Sequence, residues 1–181
     1  MNDIDASVLE KSNNYVNKHR EYVKKAFELL KPKLISIYNL SQDQVELISQ
    51  NIQAHDLSKF QPDEATAYAE FFWGERDSRV IRDFQVATEL HKSRNPHHPE
   101  YWMNDNGETN KMPFVYIVEM ICDWWSFGLM QNSPAKIFNF YENNQDKYKF
   151  SKEITSSIEK LLAIISQTIS EMQTKDLQEM M

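Results

Sequence analysis

Cysteine and glycine are the scarcest structural resources in this 181-residue chain: one cysteine, Cys122, and three glycines, Gly74, Gly107 and Gly128. A single cysteine cannot close an intramolecular disulfide, so the sequence fits a reducing, cytoplasmic setting. Three scattered glycines leave no loop whose backbone can approach a phosphate closely, which argues against P-loop and Rossmann-type nucleotide sites and against a turn-dense β-sandwich. Excess positive charge is also lacking. Lys and Arg number 20 against 27 Asp and Glu, a net charge of −7, which disfavours a surface held to nucleic acid by phosphate contacts. A small phosphorylated ligand neutralised by metal remains compatible. No apolar run reaches the ~20 residues of a membrane span. Met1-Asn2-Asp3-Ile4-Asp5 has neither the basic nor the apolar part of a signal peptide.

What is present is a helical pattern. Apolar residues make up 41% and aromatics 12% of the chain, enough for one domain with a substantial core. The spacing predicts an all-α bundle of about six to eight helices over 1–181, with a core of about 6–130 and a C-terminal helical extension over 134–173. Tyr15, His19, Tyr22 and Ala26 share a stripe of a first helix running from about Ala6 to Leu30, which Pro32 is expected to end or kink. Ser41-Gln42-Asp43-Gln44 has the form of a capping box, and Val45, Ile48, Ile52 and His55 follow on one face. Pro62 opens the next helix, with Asp63 and Glu64 in its first turn, and Gly74 closes it. Val80, Phe84, Ala87 and His91 line a fourth. Residues 103–112 read as a surface loop or lid. The most apolar helix follows Pro113 and contains only two acids, Glu119 and Asp123. A short helix is expected from Ser133-Pro134 to Tyr141 and a long one from about Ser151 to Gln173, with a frayed tail over 174–181.

The five histidines, His19, His55, His91, His97 and His98, fall with Asp56 and Asp123 into the order H, HD, H, HH, D. A lone inward histidine such as His19 is ordinarily a hydrogen-bonded core residue. Here, however, three helices each place one on an inward stripe, and a fourth adds an acid that burial makes costly unless it is paired or bound to a cation. Neutral imidazole with carboxylate suits divalent transition metals, and the pattern predicts a metal site. Tyr101, Trp102, Trp124 and Trp125 lie close in sequence to these residues and read as core packing rather than base stacking.

Across about Tyr15 to Trp125 this arrangement resembles the HD-domain superfamily of metal-dependent phosphohydrolases. His55-Asp56-Leu57-Ser58-Lys59 is similar to the His-Asp-x-Gly-Lys signature of many members, with Ser58 in place of glycine. The His97-His98 pair is similar to that of the HD-GYP cyclic-dinucleotide phosphodiesterases, but Pro99-Glu100 follows and no Gly-Tyr-Pro is present, so that specificity does not carry over. The segment His97 to Trp102, taken with His-Asp-x-Ser-Lys-Phe, also resembles a group of bacterial and phage proteins without an assigned activity.

The resemblance implies an HD-like helical bundle holding one or two divalent metals (Fe, Mn, Zn, Co or Ni). His19, His55, Asp56 and Asp123 would hold the first, and Asp56 would bridge to a second held by His91 and by His97, His98 or both. It implies hydrolysis of a phosphate ester of a nucleotide or other small metabolite by a metal-activated water. Lys59 would steady the phosphoryl oxygens, or simply sit at a helix end favoured by the dipole. Arg94 would orient a phosphate, or cap its helix. Glu119 would orient a ligand histidine. Two alternatives keep the same residues: a di-iron HD-type oxygenase acting on a small molecule, and a non-catalytic bundle that metal merely staples.

Overall fold

The computed structural model describes residues 5–179. Met1 to Ile4, which carry most of the expectation of no signal peptide, lie outside the described residues, as do Met180 and Met181 at the end of the expected frayed tail. The expected all-α bundle is what the chain forms. Its helices are α1 (Ala6–Tyr38), α2 (Gln42–Ala54), α3 (Pro62–Trp73), α4 (Ser78–Arg94), α5 (Phe114–Met130), α6 (Lys136–Tyr148) and α7 (Lys152–Glu179). Short 3₁₀ turns at Leu57–Phe60 and Pro99–Trp102 follow α2 and α4. No helix among the described residues is long and apolar enough to cross a membrane.

Apolar periodicity sets the layers. Helix α5 is central, packed by α1, α2, α6 and α7, while α3 bridges α1 to α4. Leu30 and Leu34 of α1, Ile121 and Trp125 of α5, and Ile158, Leu161 and Ile165 of α7 are buried in one cluster. Each fully buried side chain of this kind contributes roughly 1.5–3 kcal/mol. The C-terminal helices pack into the same cluster as residues 6–130, through Ile137 of α6 and Ile158, Leu161 and Ile165 of α7.

Three boundaries differ from expectation. Pro32 does not end α1, which continues to Tyr38. The proline is exposed, and so is Glu28, whose carbonyl loses its helical partner; water can satisfy that carbonyl, so the interruption costs less there than inside a core. Helix α6 runs to Tyr148 instead of Tyr141 because buried Tyr148 stacks on Trp124 at 6.1 Å. That anchor carries the polar Glu142 to Lys147 stretch along in helical form. Residues 174–179 continue α7. The capping box is present: the backbone N–H of Gln44 donates to Ser41 Oγ (3.3 Å), and that of Ser41 to Gln44 Oε1 (2.9 Å).

The loop expected over 103–112 is tied down. Met103 pairs with Thr109, and Thr109, fully buried, pairs with Phe150.

Candidate metal centre

The stretch after α2 decides where the centre forms. Arg20, next to His19 on α1, donates from Nε to the carbonyl of His55 (2.8 Å) and from Nη2 to that of Gln53 (2.7 Å). These are carbonyls the end of α2 leaves unsatisfied. Asp56 then takes a left-handed conformation, φ 58° and ψ 14°. A non-glycine residue held there stores about 1–3 kcal/mol of strain, a cost that collects at functional sites. The reversal turns the side chains of His55 and Asp56 into the same space.

Asp56 lies between two sets of donors. On one side His19 Nε2 stands 3.5 Å and His55 Nε2 3.8 Å from Asp56 Oδ2, and both face Asp123 Oδ1, at 3.0 and 3.7 Å. On the other side His91 Nε2 lies 3.1 Å and His97 Nε2 3.7 Å from Asp56 Oδ1. Donor atoms of His19, His55 and Asp123 fall within 4.8 Å of one another, as do those of Asp56, His91, His97 and His98. These buried clusters could hold metal ions. All seven expected ligands are brought together.

The remaining ring nitrogens are tethered, which sets the tautomers. Glu119 Oε1 accepts from Nδ1–H of both His55 (2.9 Å) and His97 (3.1 Å), the orienting role expected of it. Glu64 Oε2 accepts from His91 Nδ1–H at 2.8 Å. Ser126 Oγ donates its proton to the carbonyl of Asp123 (2.7 Å), so at His19, 3.1 Å away, Nδ1–H must be the donor. Four imidazoles thus turn Nε2 inward. The fit to metal is carried by buried atoms with no further partner: Nε2 of His97 and of His98 have none, and Nε2 of His91 and Oδ1 of Asp56 have only each other. Buried polar atoms are ordinarily paired, and these four belong to one donor set.

Charge fits as well. Burial pushes the Asp56 carboxyl up, but Lys59, His55 and His91 outweigh it and hold it well below the ordinary range. Burial likewise opposes ionisation of Asp123, and hydrogen bonds from His19 and His55 outweigh it. Burial, with neighbouring imidazoles, lowers His97 and lowers His98 further, keeping both neutral and ready to coordinate. At His55 burial is overcome by Asp56, Asp123 and Glu119, and the pKa is pushed up to about 10. His19 Nε2 and His55 Nε2 face each other at 3.3 Å, and a cation bound there would displace the proton on His55 Nε2.

A cavity of about 380 Å³ opens onto this cluster, reaching His19, Asp56 and Lys59. Lys59 Nζ lies 2.7 Å from Asp56 Oδ2. Arg94 is not on the cavity wall. It is committed to carboxylates, Nη2 to Asp63 (2.6 Å) and Nη1 to Glu64 (3.3 Å), so the orienting of phosphate expected of it has no geometric support. Trp124 and Trp125 are core residues, Trp102 packs against the core, and Tyr101 is exposed.

Sequence reasoning missed Glu64, Ser58, Ser126 and Asn95. Glu64 reads as a first-turn acid favoured by the helix dipole, yet it is fully buried and takes bonds from His91, Arg94 and Ser58, the last at 3.0 Å. Asn95 donates to Ser58 Oγ (2.9 Å) and to the carbonyl of His91 (2.7 Å). Ser58 is thus a working hydroxyl where a glycine would offer none. Ser126 carried one signal, its place three residues after Asp123 on the same helical face.

A model of a family of unknown function, DUF5662, matches residues 9–171, and the chain belongs to that family. No curated protein and no solved structure matches it.

Proposed function

We propose that this member of DUF5662 is a metal-dependent phosphohydrolase of the HD type, acting on a phosphate ester of a nucleotide or other small metabolite. The observation that carries the reading is Asp56, whose two oxygens address two separate buried donor sets, His19–His55–Asp123 and His91–His97–His98. Asp56 would hold a divalent ion with each set; Fe, Mn, Zn, Co and Ni all suit imidazole and carboxylate. When bound, such ions supply an acidified water and charge neutralisation at a phosphoryl group.

The chain's own residues do the rest. Asp56 and Asp123 are ionised and His97 and His98 neutral, so the donors need little rearrangement. Lys59, kept protonated by Asp56 despite its burial, presents a fixed cation on the cavity wall where phosphoryl oxygens would lie. The apolar remainder of that wall excludes water from the substrate. Because the cavity reaches His19 and Asp56, the centre is open on one side, unlike a purely structural site.

The apolar wall also supports a second reading, a di-iron oxygenase acting on a small apolar-bodied molecule. The test is elemental analysis of protein purified without chelator, beside the double variant His55→Ala/Asp56→Ala, followed by phosphoester and oxygen-consumption screens on the same sample. Near-stoichiometric metal that the variant loses, with phosphate release, is the expected result. Iron with oxygen uptake and no phosphate release would move the assignment to the oxygenase. Protein that stays metal-free after reconstitution with iron, manganese, cobalt and zinc sinks both.

A further inference from the structure

The cavity beside Lys59 is walled by aromatic rings that the metal centre does not use. Tyr15 and Trp73 meet at 5.6 Å between centroids, and Phe127 stacks on His19 at 4.8 Å and 27°. Phe72 and Tyr68 continue the wall, with Lys59 Nζ 5.3 Å from the Tyr68 ring centre. Tyr15, Phe72 and Phe127 are 43%, 50% and 41% exposed. They therefore rim an opening rather than fill a core, and three large apolar faces at one mouth mark a binding surface. Cations are scarce here. Among the described residues Lys59 is the one Lys or Arg on the wall; Arg20 is held by two backbone carbonyls and Arg94 by two carboxylates.

We propose that this cavity selects a phosphomonoester with a single phosphate group and a flat, apolar body. The inference rests on the phosphohydrolase reading and names its substrate class. The phosphate lies beside Lys59 and the metal donors, and the body lies against the rings of Tyr15, Phe72 and Trp73, where aromatic faces favour offset or edge-on contact. The volume, about 380 Å³, falls in the usual range of small-ligand sites, roughly 300–1,000 Å³. A glycerol-like body would leave the rings wet. A triphosphate would bring further negative charge beyond the metal donors with no second lysine or arginine on the wall to meet it.

Titration calorimetry of the manganese-loaded protein with two non-hydrolysable probes, phenylphosphonate and methylphosphonate, tests this. Phenylphosphonate is expected to bind about tenfold tighter or better, the order that burying one ring yields. Trp73→Ala and Phe72→Ala should each shrink that preference to under about threefold, while Phe72→Tyr retains it and shows that the ring face is what matters. Adenosine triphosphate, offered as its manganese complex, should bind no tighter than phenylphosphonate. Equal binding of the two phosphonates, or tighter binding of the triphosphate, overturns the inference even if phosphoesters are hydrolysed. A retained phenyl preference without turnover of any phosphomonoester upholds the ligand class and removes the hydrolase reading instead.

Discussion

The two halves of the candidate metal centre are built by different means. The inner half comes from His19, His55 and Asp123, carried by or closing α1, α2 and α5, the helices that also form the dry core. The outer half comes from His91, at the end of α4, and from His97 and His98 in the segment that leads into a 3₁₀ turn. Helix α4 packs chiefly on α3 and reaches the core helices through it. The inner residues thus sit on helices fixed by apolar packing, with Glu119 and Ser126 tethering their rings. In the outer half His91 is held by a polar web of Glu64, Ser58 and Asn95, and His97 by Glu119. The two halves hold their imidazoles in place in different ways.

Asp56 joins the halves, so Asp56→Ala should have the largest effect: both ions lost in elemental analysis, well beyond the roughly 10–100-fold that an outer partner costs. If one ion stays at full occupancy, the bridging role is wrong. Next, His19→Ala and His98→Ala should each remove about one ion of two, from opposite halves, with the rest of the fold intact by circular dichroism. Loss of both ions from either variant would mean that the halves do not load separately. A smaller effect is expected at the supports. Glu64→Gln should weaken only the outer ion and Glu119→Gln both, each by about 10–100-fold, read by competition against a chelating dye.

The least effect is on pH dependence. His55, raised from 6.5 to about 10 in the fold, stabilises the chelator-treated protein fully below about pH 6.5 and loses that contribution as pH climbs through 10. Asp56 and Asp123, lowered from 3.8, contribute above about pH 4 and lose their share as acid protonates them. The chelator-treated Tm should therefore fall between about pH 6.5 and 10, and the metal-loaded Tm should not, since a cation replaces the proton at His55. Parallel melts that fall together would contradict this.

The inner half was also the easier to read from sequence. His19, His55 and Asp123 interrupt apolar stripes at helical spacing, and an imidazole or acid on such a stripe stands out. The stripe of α4 likewise exposed His91. Glu64 left no such mark, because an acid in a first turn already has a local explanation and its burial depends on how α3 meets α4. The same holds for the aromatic cavity. Phe72 and Trp73 end α3 and Phe127 lies late in α5, so nothing in their spacing says that they share a wall. Arg94 misled for the opposite reason: its nearness in sequence to His91 suggested a phosphate, whereas packing turned it toward Asp63 and Glu64.

Helix α1 fixes how the chain tolerates insertions and deletions. It holds the candidate ligand His19, the adjoining Arg20 that secures the His55 backbone, and, further along the same unbroken helix, Leu30 and Leu34 in the core. One residue inserted between His19 and Leu30 would rotate the two ends by about 100° relative to each other. The imidazole or the leucines would keep their place, but not both. The connection at Asn39 and Leu40 bears no such constraint, because Arg20 sets the position of the end of α2 independently of it. Length change in this family should therefore be absorbed at that connection, while α1 between His19 and Leu34 keeps a constant count.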